Sequence, residues 1–443
     1  MQLTDKDPIS LIGAGLAGPV MATYLTRLGY SVNIYESRSD IRINSQSAGR
    51  SINLALSARG IKALKDIGAY KKIESSLIPM SGRMIHDADG NTHLQPYGQK
   101  RNEVIYSVSR SNLNKSLMDH AELDGKVKLY FNHDLLDVDL KNSKLNFQNK
   151  SISFHKILGS DGASSKVRES ITKDSYIHYS KKPLGHGYKE LTILPNNNGE
   201  FQLDEKALHI WPRGEFMLIA LPNSDQSFTC TLFLPVDGDN SFESLNSEKK
   251  VVEFFKNYFP DAEELMPNLP DEYYKRPVGK LATIYCDKWH YNGSVAIFGD
   301  AAHAIVPFFG QGMNASLQDC TVMNSIMKKY DGDWNKIFSK FSDIQVPNGY
   351  AIADMALENY VEMRDSVNDP KYKTRRGLEF DLENKFWDRF VPRYSMVSFH
   401  EIPYSEVYRR GKIQFELMDS YNEGTLTKTK LYENIEKKLS SIR

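Results

Sequence analysis

The sequence predicts an α/β protein: a doubly wound, Rossmann-like dinucleotide-binding domain, an antiparallel β-sheet domain and a C-terminal helical cap. Three observations predict it. A glycine-rich turn, Gly13-Ala-Gly-Leu-Ala-Gly18, falls between a short apolar strand and a helix, and far downstream a second apolar strand runs into Gly299-Asp300 and a Gly310-Gln-Gly312 turn. From about Tyr176 to Lys275 the residues alternate as in half-buried strands. Beyond Trp334 the spacing becomes helical, as in Ile352 to Met363, and a charged tail follows Tyr408.

Ile9 to Ile12 reads as a strand, Pro19 to Leu28 as a helix and Ser31 to Tyr35 as a strand ending at Glu36, which together make an opening βαβ unit. In such a unit the first glycine allows the turn, the second admits a pyrophosphate and the third lets helix meet strand, while an acid further on takes the ribose hydroxyls. Gly13, Gly15 and Gly18, with Leu16 and Ala17 between them, are the phosphate turn, and Glu36 is the acid, followed by Ser37, Arg38 and Ser39. Arg38 has two readings: a ligand for a 2′-phosphate, which Glu36 would repel, or a solvated turn residue beside an adenine. At the downstream motif Asp300 offers an acceptor to a ribitol or ribose hydroxyl, and the helix opening at Gly312 offers amides to phosphate or an anionic ring edge. Two distant segments gripping one nucleotide point to flavin adenine dinucleotide rather than to a simple nicotinamide enzyme.

Gly49 to Gly60 is rich in small residues and suits close passage beside a planar cofactor. Met80 to Asp87 and Thr92 to Tyr97 read as a hairpin around Ala88-Asp-Gly-Asn91, which puts Arg83 opposite or diagonal to Tyr97. Val104 to Val108 leads through Ser109-Arg110 into a helix at Leu113 to Leu123, and Val127 to Phe131 and Leu145 to Phe147 are further strands. In Lys156 to Arg168 a strand meets an Asp161-Gly162 turn and then a helix, a dinucleotide loop used a second time. Leu208 to Trp211, Phe216 to Leu221 and Ser227 to Leu234 are the strands of the sheet domain. The division expected is residues 1–75 with 100–175 and 280–330 for the nucleotide, 76–99 with 176–279 for the sheet, and 331–443 for the helices; the final segment is expected as an amphipathic or frayed helix.

A chain of 443 residues exceeds a single core of about 250–300, so several domains are required. Its 56 basic and 56 acidic residues cancel, which leaves no electrostatic footprint for nucleic acid or an anionic bilayer and points to a small-molecule partner. Cys230, Cys286 and Cys320 are too scattered for a redox pair or a zinc half-site and read as buried thiols in a reducing cytosol. No apolar run reaches the roughly 18 residues of a membrane span.

These elements resemble the group A flavoprotein aromatic hydroxylases, whose hallmarks are an N-terminal fingerprint, a central Asp-Gly motif and a late Gly-Asp motif, all present here in order. Within that group Gly49 to Ser57, Ser107 to Lys115, His186 to Thr192, His209 to Arg213, Val306 to Asn314 and Asn359 to Arg364 are similar to the branch that hydroxylates kynurenine. The resemblance spans Pro8 to Tyr408. It implies bound FAD, NADPH as a transient reductant, dioxygen as co-substrate and L-kynurenine hydroxylated to 3-hydroxy-L-kynurenine through a C4a-hydroperoxyflavin. It assigns the flavin to Ala17, Glu36, Ala55, Arg110, Leu135, Asp300, Met313 and Asn314, beside the Asp161 motif, and the substrate to Arg83, Tyr97, Asn359 and Tyr394. Pro307, Phe308 and Phe309 would hold the ring. Eukaryotic members continue into a membrane anchor where this chain ends at Arg443 in polar sequence, so a soluble cytoplasmic enzyme, monomer or homodimer, is expected.

An arginine is the right residue for a carboxylate, which it binds through two parallel hydrogen bonds. No catalytic base is expected, because the aniline nitrogen already feeds electrons into the ring. His303 reads as a structural histidine after the turn; Arg375-Arg376 and Arg409-Arg410 read as solvated helix faces, with docking of the reductant as the alternative. Flavin-dependent halogenases share the fold, but their two tryptophans separated by one residue have no counterpart among Trp211, Trp289, Trp334 and Trp387. A reductase that never activates oxygen and a flavin-binding scaffold are the other readings.

Overall fold

The computed structural model describes residues 7–43, 53–173, 175–364 and 370–442, with the side chains of residues 370, 371 and 373 set aside. The Gly49 to Ile52 part of the small-residue segment therefore lies outside the described residues. The chain divides into two compact units: residues 1–77, 108–183 and 282–353, and residues 78–107, 184–281 and 354–443. The helices read from sequence as one C-terminal region are thus shared, 331–353 falling in the first unit and 354–443 in the second.

The first unit is built on a six-stranded sheet in the order His290–Tyr291, Val295–Ile297, Ile157–Gly159, Ile9–Ile12, Val32–Tyr35, Val127–Tyr130. Its four inner pairings are parallel, with Ile12 beside Gly159 and Tyr35, and only the His290–Tyr291 edge is antiparallel. The strands are short and apolar on both faces, as a doubly wound sheet requires. This order places the ends of Ile9–Ile12, Ile157–Gly159 and Val295–Ile297 side by side, so the three glycine motifs that follow them emerge together. A three-stranded antiparallel sheet of Lys150–Ser153, Lys144–Phe147 and Leu135–Asp139 completes the unit.

The second unit carries most of a seven-stranded sheet in the order Gly279–Cys286, Tyr179–Ile193, Phe228–Pro235, Phe216–Pro222, Ala207–Arg213, Gly82–His86, Thr92–Pro96. From Tyr179–Ile193 onward pairing is antiparallel except between Ala207–Arg213 and Gly82–His86, where Leu208 lies beside Arg83 in parallel register. Antiparallel alternation alone could not reveal that joint, because it unites strands more than a hundred positions apart. One face is closed by Phe254, Phe255 and Phe259 against Trp211, Phe216 and Phe228. The helices Pro370–Lys385, Arg393–Phe399, Tyr404–Asn422 and Lys428–Lys438 follow, with Leu382, Phe390, Met418, Leu431 and Ile435 in their own core. The last helix buries Leu431 and Ile435 and is docked along its apolar stripe.

Two basic pairs depart from the sequence reading. Arg410 is fully buried and donates to the Arg389 and Ser440 carbonyls, and Arg376 is mostly covered, paired with Glu379 and bonded to the Tyr97 carbonyl. Only Arg409 is half in solvent, paired with Glu406. Among the described residues no helix is long and apolar enough to cross a membrane, and no group of ligating side chains is arranged for a metal.

Candidate active site

The fingerprint turn takes its shape from steric exclusion. Gly13 has φ of 99°, and a Cβ there would stand 2.5 Å from the Ser160 carbonyl oxygen; one on Gly18 would strike the Gly13 carbonyl. Gly15, in contrast, faces open space. The helix Ala17–Arg27 starts at Leu16 with no side-chain cap and no acid in its first turn. The helix Gly312–Tyr330, opening at Gln311 after the left-handed Gly310, has the same bare start. Both helix ends keep amides and positive dipole for an anion. Gly299 lies close to the fingerprint helix, since a Cβ on it would sit 3.8 Å from Ala17 Cβ, so the early and late motifs share one neighbourhood.

Glu36 is buried, accepts from the Ala14 amide at 2.9 Å and holds Arg38 by its amide at 3.0 Å and its Nε at 2.7 Å. Burial would raise its carboxyl, but the Arg38 guanidinium and these amides outweigh burial and hold it below the usual range. Arg38 is thereby engaged by an acid of its own turn, with Ser37 bonded to the same carboxylate, and Ser39 follows. Asp300 begins a short helix with its side chain exposed. Arg110 is exposed at the first position of the helix Arg110–Ala121, capped by Ser109, and Leu135 is buried at the start of its strand.

Two more of the expected flavin residues use their side chains within the protein. Asp161 accepts from Ser165 Oγ at 2.6 Å and from the Lys166 and Val167 amides, capping the helix Lys166–Lys173. Asn314 accepts from the Ser57 amide at 2.9 Å and donates to the Ala55 and Gly310 carbonyls, so it ties the Ala55 strand to the Gly310 turn. Met313 is buried beside it. Pro307, Phe308 and Phe309 form a single turn of 3-10 helix, both phenylalanines buried. Sequence reasoning missed Arg168, which joins the Asp-Gly and Gly-Asp motifs by donating to the Ala163 and Ala301 carbonyls.

All four expected substrate-head residues meet in the second unit. The hairpin register sets Arg83 against Gln95, which makes Tyr97 its diagonal neighbour. Arg83 is 6% exposed; its guanidinium lies 4.9 Å from the Tyr394 ring and 6.0 Å from the Tyr97 ring, and those two rings stack at 4.9 Å. It donates to Asn359 Oδ1 and to Glu362 Oε1, each at 3.4 Å. Burial works against the arginine's charge, but Tyr372, Tyr394 and Glu362 push its value above the ordinary range. Glu362, which also accepts from the Tyr372 hydroxyl at 2.9 Å, feels burial and then the stronger pull of Arg83 and Arg393, and ends below the usual carboxyl range. Tyr97 and Tyr394 are pushed up by burial and stay as hydroxyls. The Tyr97 hydroxyl is buried within reach of Arg83 and Tyr394, yet it makes no well-formed hydrogen bond. A guanidinium at the outer limit of its bonds, with a buried phenol hydroxyl beside it, can accept an anion. Glu362 and Tyr372 were not found from sequence; the i, i+3 spacing from Asn359 to Glu362 was the available signal.

Residues 7–333 match the FAD binding domain family. The chain is 43% identical over 425 residues to the kynurenine 3-monooxygenase of Myxococcus xanthus, covering 95% of this chain and 91% of that protein. It is 43% identical over 438 residues to that of Dictyostelium discoideum, covering 96% and 95%. Among solved structures, a tetrameric form of 2-methyl-3-hydroxypyridine-5-carboxylic acid oxygenase superposes with a TM-score of 0.67 at 19% identity, covering 83% of this chain and 95% of that one. The tetracycline destructase Tet(51) gives 0.62 at 18% identity, covering 90% and 99%. These two likenesses concern the fold.

Proposed function

Because the chain belongs to the kynurenine 3-monooxygenase family of FAD-dependent hydroxylases, we propose that it hydroxylates L-kynurenine at ring carbon 3. One atom of dioxygen enters the C–H bond, the other leaves as water, and NADPH with one proton supplies the two electrons. Residues 13–18, Glu36, Asp300 and the start of the helix Gly312–Tyr330 fit FAD: they combine two bare helix ends, an open glycine and acids for hydroxyls. When bound and reduced, FAD supplies the activation of dioxygen.

The observation that carries the substrate reading is the buried Arg83, held only by long bonds, with the buried Tyr97 and Tyr394 phenols beside it. Arg83 binds the α-carboxylate, Tyr97 and Tyr394 donate to it as neutral phenols, and Asn359 orients the head group. Glu362 offers its carboxylate to the α-ammonium. The resemblance assigns the Pro307–Phe309 turn, whose two phenylalanines are buried, to the aromatic ring. The aniline nitrogen supplies electrons to the reacting carbon, so the protein's work is positioning rather than proton removal. A monomer or homodimer in the cytoplasm completes the reading.

The test is to mix the purified yellow protein with NADPH, with and without kynurenine, and follow nucleotide absorbance and product mass. Kynurenine-dependent NADPH loss with a product one oxygen atom heavier is expected. Loss of NADPH that yields only hydrogen peroxide, or no change in kynurenine, overturns the proposal.

A further inference from the structure

The helix Gly312–Tyr330 carries one acid, Asp319, at a position that is 1% exposed. Its Oδ2 accepts from the Gly299 amide at 2.8 Å and from His303 Nε2 at 2.7 Å, and its Oδ1 accepts from Gln345 Nε2 at 2.6 Å. Asn348 in turn donates to Gln345 Oε1 at 2.9 Å and fixes that amide's orientation. The His303 ring stacks on Trp289 at 4.9 Å, and Trp289 is pinned by its amide on Ser342 Oγ and its indole N–H on the Cys286 carbonyl. The residue before Asp300 is therefore held by Asp319, which His303 and Gln345 bond directly and Asn348 supports through Gln345.

Gly299 needs this support. Its φ of 61° and ψ of −146° are accessible essentially to glycine alone, and a backbone in that region persists only where its surroundings hold it. A buried carboxylate with three donors, one of them on an imidazole, is a rigid acceptor for that amide. Nothing in the apolar packing of the helix calls for an acid at 319; the need arises at the turn.

We propose that Asp319 is a positioning residue for the cofactor: by holding the Gly299 amide and pairing with His303, it fixes the turn from which Asp300 meets FAD. This rests on the reading that Asp300 contacts the cofactor. It goes beyond that reading in assigning the turn's geometry to a residue twenty positions away.

The test is a double-mutant cycle on the full-length holoenzyme, with FAD release measured by recovery of flavin fluorescence on dilution and the melting temperature recorded on the same samples. Asp300→Asn and Asp319→Asn are each expected to weaken FAD binding about tenfold, and the double variant no more than Asp300→Asn alone, since one acts through the other. Ile326→Ala, which trims the buried face of the same helix, should lower the melting temperature and leave FAD affinity unchanged. If Asp300→Asn alone has no effect, the cofactor role of Asp300 is overturned. If it weakens FAD while Asp319→Asn does not, or the two effects add, or Ile326→Ala weakens FAD equally, the positioning role is overturned. Should Asp319→Asn not fold, His303→Gln, which keeps a donor toward Asp319 and removes the ion pair, takes its place in the cycle with the same expectations.

Discussion

Replacing Arg83 with alanine tests the clamp directly. In the free protein the guanidinium reaches Asn359 and Glu362 only at 3.4 Å, so a substrate carboxylate displaces weak contacts and forms stronger ones. Hydrogen bonds to charged groups contribute about 1.5–3 kcal/mol each, and a net loss of about 3 kcal/mol corresponds to roughly 150-fold in Kd. The substitution also leaves Glu362 facing the head group with Tyr372 as its hydrogen-bonded partner, which adds repulsion toward a carboxylate. The assay is titration of the holoenzyme with kynurenine, read from the flavin absorbance. The decarboxylated amine of kynurenine serves as control, because it lacks the group that Arg83 binds and its affinity should hold or rise in Arg83→Ala. Kynurenine binding the variant as tightly as the parent, or the amine losing affinity in parallel with kynurenine, would refute the reasoning.

Tyr97→Phe removes a hydroxyl with no well-formed bond in the free protein, so the melting temperature should stay put while kynurenine binding weakens by about 1 kcal/mol, roughly fivefold; a drop in stability without a drop in affinity would contradict this. Arg410→Met severs the bonds to the Arg389 and Ser440 carbonyls and should destabilise the protein by about 2–4 kcal/mol with FAD affinity intact, checked by thermal unfolding beside a dilution assay. His209 is pulled down to about 4, first by burial, and its Nε2 bonds the Asp204 carbonyl. The fold thus favours the neutral ring, and stability is lost as pH falls from about 6.5 toward 4, by on the order of 3 kcal/mol in total. Urea unfolding at pH 7 and pH 4.5 should show this slope in the parent and a shallower one in His209→Gln; equal slopes would reject it.

Legibility followed the range over which a residue's reason acts. Gly13 was readable because its φ of 99° is a local constraint that favours glycine whatever the space around it. The Arg83 and Tyr97 pair was readable because period-two alternation around the Asp87 to Asn91 turn carries register across a hairpin. Arg410 was misread as solvated because sequence shows a charge but not the distant carbonyls at Arg389 and Ser440 that await a donor.

Glu362 and Asp319 extend the same point from donors to acceptors. Helical spacing puts Glu362 on one face with Asn359, but only the strand bearing Arg83, 279 positions away, makes that face a place for a carboxylate. Asp319 is buried because Gly299 leaves an amide without a partner inside the protein, and an unpaired buried amide costs about as much as a lost hydrogen bond. A reader who counts such unmet groups turn by turn, starting from the glycines that force them, would look for one acid on the neighbouring apolar helix. In Gly312–Tyr330 that search has a single answer, Asp319.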